Sequence, residues 1–235
     1  MLTDNNQQER TNERIRIVIR GFLAFLLMVA AIFLLAGRLA YWQGWVFAGI
    51  TLIILLISTM LLGDNTDLIH ERRHPGPGTK WWDKIFWAFY VPLFLSLIIV
   101  ACLDGGRFQW TKSLPSLLYF IAYIAYIASN GLVLWAMRTN TWFSSVVRIQ
   151  TDRNQQVVQD GPYRYVRHPG YVAAIILAVS MALILGSLWA LIPSGLVALL
   201  LIVRTYLEDI TLRNELPGYK EYTAQVNYRL LPGVW

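Results

Sequence analysis

Three stretches of this chain place side chains able to do chemistry within an otherwise apolar sequence. Asn140–Gln150 mixes Trp142, Phe143, Ser144 and Ser145 with Arg148. Val157–Tyr171 contains Gly161-Pro162, Tyr163, Arg164, Tyr165, Arg167, His168, Pro169, Gly170 and Tyr171. Arg204–Asp209 carries Arg204, Glu208 and Asp209, and is followed by Glu215–Tyr222 and a closing Arg229–Trp235. In the second stretch Gly161-Pro162 marks a turn. Pro169 suits the first position of a helix, where its missing N–H costs nothing. His168 and Tyr171 then flank backbone N–H groups at a helix start, a setting that favours an anion. Arg204 and Glu208 are four residues apart and share a helix face. If the helix after Pro169 and the helix bearing Arg204 pair antiparallel, histidine, tyrosine, guanidinium and carboxylate converge on one pocket.

Each group has a plainer reading. Arg164 and Arg167 alone read as arginines snorkelling to lipid phosphates. Arg204 and Glu208 alone read as a surface pair. The tail tyrosines read as interfacial anchors. His70 and His74 flank Arg72-Arg73, too few ligands for a metal, so no metal site is assigned. Cys102, the one cysteine, lies in an apolar run and reads as a small buried residue.

The elements that must position these groups are membrane spans. Of 235 residues 56% are hydrophobic and only 14% charged, which points to a membrane protein built as one helical domain. The net charge of +6 does not indicate nucleic acid, because the basic residues fall in short loops between apolar runs. Residues 1–16 are polar and lack a signal cleavage site, so the first apolar run is expected as a retained span. A helix of about 20 apolar residues crosses a bilayer. Ile17–Ala36, Gly44–Gly63, Ile85–Leu103 and Pro115–Met137 meet that length, with Pro92 a candidate kink. Tyr171–Val203 has 33 residues without a charge, so it either tilts strongly as one helix or folds back as two short ones, with Gly186-Ser187 near its middle as the turn.

A hairpin there makes six spans with both termini on one side. That side then holds 17 of the 20 basic residues, which places it in the cytoplasm. Trp42, Trp45 and Trp110 on one side, and Trp81, Trp82 and Trp142 on the other, fit interfacial belts. The fold expected is all-α: a polytopic bundle of about six spans, the last two a helical hairpin, with a cytoplasmic C-terminal tail. Residues 1–16 form a polar segment, 17–63 the first two spans and 71–235 the core that carries the chemistry. The cytoplasmic loops Asp64–Lys84 and Arg138–Gly170, with the tail, are where a site is expected.

The same residues resemble the isoprenylcysteine carboxyl methyltransferase family, which includes relatives acting on phospholipid amines and small thiols. Gly161–Tyr171 is similar to that family's Gly-x-Tyr-x-x-x-Arg-His-Pro-x-Tyr signature. Glu208-Asp209 resembles its paired acids, with Asp in place of the commoner second Glu. Tyr219–Tyr222, the Leu231-Pro-Gly ending, Asn140–Gln150 and Glu71–Asp83 are similar too, so the resemblance runs from about Glu71 to the end. It implies S-adenosyl-L-methionine bound on the cytoplasmic side between the last two spans and the tail. Tyr163, His168, Pro169, Gly170, Tyr171 and Glu208 would hold it. Gln155, Gln156, Val157 and Val158 would line it, along with Gln150, where the spacing differs. Arg204 would face the acceptor, making Arg204 and Glu208 the catalytic pair; Asp209 is the weakest of these transfers.

Methyl transfer from a sulfonium needs alignment and exclusion of water more than acid–base help. A carboxylate acceptor, the favoured case, needs no base and suits a guanidinium. N- or S-methylation is the other possibility; an amine or hydroxyl would need a base, with Glu208 and His168 as candidates. The expected acceptor is an apolar or lipid-linked small molecule entering from the bilayer, and loop style suggests a bacterial inner membrane. The alternatives are a membrane reductase using NADPH, or a non-catalytic membrane relative. No Gly-x-Gly-x-x-Gly follows a strand pattern, so a soluble dinucleotide-binding domain is not expected. A transporter is disfavoured by the scarcity of ionisable residues within the spans.

Overall fold

The computed structural model describes residues 2–62 and 66–235, with side chains for 14–62 and 68–235. The ends of two expected elements, Gly63 and Asp64, lie outside the described residues. Among the described residues all regular structure is helical: α1 (Leu2–Ala36), α2 (Trp42–Leu62), α3 (Thr66–Arg73), α4 (Trp81–Ala101), α5 (Ser116–Thr139), α6 (Pro169–Ile184), α7 (Leu191–Glu215) and α8 (Tyr219–Gln225). Five helices are long and apolar enough to cross a membrane. The protein is an integral membrane protein, and its surface says why. Leu34 and Met60 are each 75% exposed on the helix surface; lipid is the solvent that makes such faces favourable.

Several boundaries differ from the sequence reading. α1 continues back through the polar segment to Leu2, because nothing there breaks a helix. α4 starts at Trp81, four residues early, runs unbroken through Pro92 and ends in a π turn at Cys102–Phe108. The Asp64–Lys84 loop contains a helix, α3, that charged residues disguised as loop. α7 continues as helix beyond Val203 to Glu215.

The long apolar run folds as the expected hairpin. α6 ends at Ile184, Gly186 takes φ +76° at the turn, and α7 starts at Leu191. The reversal is fixed from α4's end. Asp104, fully buried, accepts hydrogen bonds from the Thr111 N–H, the Thr111 hydroxyl and the Ser187 hydroxyl, each at 2.6 Å. Gly105 lies flat against this turn: a Cβ there would come 2.1 Å from the Leu185 carbonyl oxygen. Tyr41 donates to the same carbonyl from before α2.

The hairpin sets the site's depth. α6 has 16 residues, or roughly 24 Å at ~1.5 Å per residue, short of a ~30 Å hydrocarbon core. Its start at Pro169 is therefore drawn below the level reached by α7. Counting the length of α6 along α7 from the turn lands beside Tyr206, between Arg204 and Glu208. The two helices thus bring Tyr171 opposite the polar residues of α7, sunk beneath the loop-rich end of the bundle. The core of α4, α6 and α7, with Leu97, Ala101, Ala178, Ala182, Val197 and Leu201, holds this arrangement from below.

Candidate functional site

Asp209 ties the polar stretches together. It is fully buried on α7. Arg167 grips it with two bonds, Nε to Oδ1 at 2.8 Å and Nη2 to Oδ2 at 3.1 Å. Arg229 Nε donates to Oδ2 at 3.0 Å and the Tyr219 hydroxyl to Oδ1 at 3.1 Å. His168 Nε2 approaches Oδ1 at 3.5 Å. A buried carboxylate is stable only with such partners. The backbone repeats the link: the N–H groups of Arg167 and His168 donate to the carbonyls of Tyr228 and Arg229. One carboxylate on α7 thus fixes both the loop before α6 and the tail. Arg167, which alone read as a lipid-phosphate anchor, is inside the protein; Arg164 is exposed and pairs with Asp160.

Arg204 has a partner that the sequence reading did not give it. Asp83, buried in the first turn of α4, faces it with Nε–Oδ1 at 2.9 Å and Nη2–Oδ2 at 3.3 Å. The first contact is off-axis and counts as an ion pair without a linear hydrogen bond, leaving Nε and Oδ1 unbonded. Nη2 also donates to the Ser145 carbonyl at 2.8 Å. The guanidinium lies 4.3 Å from the Phe86 ring centroid and 5.4 Å from that of Tyr171. Asp83 in turn accepts the Val147 N–H at 2.9 Å, so α4 also anchors the loop after α5.

That loop has a second anchor on α3. Glu71 receives Arg148 through Nε at 2.9 Å and Nη2 at 3.0 Å, while Asp152 takes Nη1 at 2.7 Å. Asp152 and Glu71 push the Arg148 pKa up, against the opposing effect of burial. Within the loop, the buried Gln150 side chain donates to the Trp142 carbonyl and accepts from Arg153. Its amide is spent on holding the loop. Gln155 bonds back to the Gln150 N–H through Oε1. Trp142, expected in an interfacial belt, instead turns inward, with its indole N–H on the Arg153 carbonyl.

Between this loop, the start of α6, α7 and α8 lies a cleft whose empty space, counted out to solvent, is about 860 Å³. Gln150, Gln155, Gln156, Val157, Val158, Tyr163, His168, Pro169, Gly170, Tyr171 and Glu208 all line it. Arg204 does not; it sits behind Tyr171. At the base, the Tyr171 hydroxyl donates to Glu208 Oε2, and the Tyr171 ring stacks on that of His168 at 5.6 Å. Of the first backbone N–H groups of α6, those of Tyr171 and Val172 go to the His168 carbonyl, so the free N–H groups expected there reduce to that of Gly170. Gly170 needs its size: a Cβ would meet the Phe143 ring at 2.8 Å. Sequence reasoning left out Phe143, Tyr219 and Tyr222 as lining residues. Burial raises the pKa of Tyr163, Tyr219 and Tyr222, which keeps these phenols protonated as donors. Asn140 donates to the Tyr163 hydroxyl, and the Tyr222 hydroxyl donates to the Tyr163 carbonyl.

The donors and surfaces present suit a flat, polar ligand with a cationic centre. One carboxylate and several ring faces attract a cation, and glutamine amides and phenols can hydrogen-bond a base and sugar.

Residues 117–214 match the model of the isoprenylcysteine carboxyl methyltransferase (ICMT) family. This span covers nearly all of α5, the cleft loop, α6 and nearly all of α7. It is narrower than the region from Glu71 onward that the sequence reading assigned. No curated protein matches the chain. Over these residues the chain is similar to that family, within an integral membrane protein.

Proposed function

We propose that the protein is an S-adenosylmethionine-dependent methyltransferase that modifies an apolar or lipid-linked acceptor at the cytoplasmic face of its membrane. The observation that carries this reading is the cleft. Its walls unite the 161–171 signature with Glu208, and its base is sunk between α6 and α7, where a bilayer-borne molecule and a polar nucleoside can meet. When bound, S-adenosylmethionine supplies a methyl group on a sulfonium, already activated for displacement.

The protein's part is then positional. Glu208, held by the Tyr171 hydroxyl, would offer its carboxylate to the cationic end of the donor. The rings of Tyr171, Phe143 and Tyr219 exclude water around it. Gln155, Gln156, Val157 and Val158 line the outer wall. Arg204, behind Tyr171 and balanced by Asp83, faces the acceptor from the α4 side. A carboxylate acceptor, the favoured case, would need no general base, so these residues would have no proton to move and would act by holding the acceptor in line with the methyl carbon. The basic residues on the loop-rich side support a cytoplasmic site, and the setting we favour is a bacterial inner membrane.

The test is transfer of labelled methyl from S-adenosylmethionine to a membrane lipid extract by purified protein, with the product identified by mass. A methylated lipid formed by the wild type and not by Glu208→Gln is expected. Label that stays in the aqueous phase with folded protein would count against the reading.

A further inference from the structure

The arginines that line the cleft are already spent. They are Arg148 and Arg167. Arg148 donates through Nε and Nη2 to Glu71 and through Nη1 to Asp152. Arg167 donates through Nε and Nη2 to Asp209, and through Nη1 to the carbonyls of Val226 and Asn227. Every guanidinium nitrogen of both is engaged. Arg204, behind Tyr171, is balanced by Asp83. S-adenosylmethionine carries an α-carboxylate beside its α-ammonium, and a carboxylate taken out of water needs a partner. Glu208 is available to the cationic groups; no uncommitted arginine on the cleft wall is available to the anionic one.

Arg72, in the last turn of α3, is free where these are not. Its side chain makes no ion pair or hydrogen bond among the described residues, and its guanidinium rests 5.0 Å from the Phe143 ring centroid. Phe143 is a wall of the cleft and packs on Gly170. Tyr163 and Tyr171, two more wall residues, lie near enough to act on the charge of Arg72. Burial, and then the like charge of Arg204, lower its pKa. An anion beside it would relieve both influences. The backbone here is pinned to the cleft loop: the neighbouring Glu71 holds Arg148, and the Arg72 carbonyl accepts the Ser145 hydroxyl at 2.8 Å. A fixed backbone and a side chain without hydrogen bonds let the guanidinium turn past the edge of Phe143 at the cost of one ring contact.

We propose that Arg72 binds the α-carboxylate of S-adenosylmethionine, reaching past Phe143 into the cleft, while Glu208 serves the cationic groups of the same ligand. The proposal rests on the methyl-transfer reading and adds a residue to it. Arg72 precedes the matched residues 117–214, so the family match does not assign it. The argument is complementarity: a planar guanidinium offers a carboxylate two parallel donors, and a ligand with adjacent positive and negative groups calls for an acid and a base side by side.

The experiment uses the whole protein in phosphatidylcholine nanodiscs with two ligands that differ by one group, S-adenosylhomocysteine and its decarboxylated form, S-adenosyl-3-thiopropylamine. Wild type is expected to bind S-adenosylhomocysteine about tenfold more tightly, the scale of one hydrogen bond between charged groups. Arg72→Gln should erase that margin by weakening S-adenosylhomocysteine alone, with the decarboxylated ligand held within about twofold. Arg72→Lys keeps the charge without the planar fork and should fall between. Neither substitution strands a partner, so the melting temperature of the ligand-free protein should not drop. A wild type that binds both ligands equally overturns the proposal, as does a preference that survives Arg72→Gln. Equal weakening of both ligands by Arg72→Gln makes Arg72 a prop for Phe143, which also overturns it. Should Arg72→Gln not fold, the same ratio in Arg72→Lys decides: an undiminished margin overturns the proposal and a reduced one supports it. A wild type that binds neither ligand overturns the methyltransferase reading instead.

Discussion

Asp209→Ala should lower the unfolding free energy by about 3–5 kcal/mol, the usual loss when one partner of a buried ion pair is removed. The residue is fully buried and carries Arg167 and Arg229 directly, with the Tyr219 hydroxyl and His168 close by. Removing it leaves the Arg167 and Arg229 guanidiniums without the carboxylate they share. Because the same carboxylate joins the 161–171 loop to the tail, the effect should reach the cleft. Stabilisation by S-adenosylhomocysteine should fall with the melting temperature, as His168 and Tyr171 lose their frame. Asp209→Glu keeps the charge and adds one methylene, so it should recover part of both. Thermal unfolding in detergent, with and without ligand, reads the two effects together. A melting temperature near wild type for the alanine variant would show that the cations find other partners and that Asp209 is not the hub described.

The second large effect concerns Arg204 and Asp83, and it must be read as a pair. Arg204→Met alone strands Asp83, which is fully buried with only the Val147 N–H left, again at a cost of about 3–5 kcal/mol. Loss of activity in that variant would be uninformative. Combining it with Asp83→Asn removes the stranded charge while keeping an acceptor for Val147, and most of the stability should return. Affinity for S-adenosylhomocysteine should then stay within a few-fold of wild type, since Arg204 does not line the cleft. Methyl transfer should still be down by about 10²–10³, the scale of losing one preorganised polar contact to a reacting group. A stable double variant with wild-type turnover would reduce Arg204 to a structural counter-ion.

These outcomes bear on what a sequence discloses. The hairpin was legible because loop charge favoured it over a single tilted helix through thirty-three uncharged residues, and the turn has a glycine where positive φ is needed. Part of the cleft lining, His168–Tyr171, was legible because contiguity at a helix start places side chains together; Gln150 and Gln155–Val158 came only from the family resemblance. The carboxylates that hold the site were not. Asp83 lies at the edge of an apolar run and Glu71 in what looked like a loop, and their partners, Arg204 and Arg148, are far along the chain. A lone acid at the mouth of a span is a signal that a buried cation awaits it, but only packing says which. Trp142 misled for the same reason. An indole near an interface looks the same in sequence whether it faces lipid or, as here, turns to a carbonyl of its own loop. Arg167 and Asp209 show the converse. Both were visible, yet their role as framework for the loop and tail depends on distances that no spacing encodes.

The central claim is that the cleft between the 142–158 loop, His168–Tyr171, Glu208 and Tyr219 binds S-adenosylmethionine. Calorimetric titration of the purified protein with S-adenosylhomocysteine, and separately with NADPH, tests it most directly. The account predicts one saturable site for S-adenosylhomocysteine, abolished by Gly170→Leu, whose side chain would have to displace Phe143 into the cleft, and no heat of binding for NADPH. Saturable NADPH binding with no response to S-adenosylhomocysteine would contradict it.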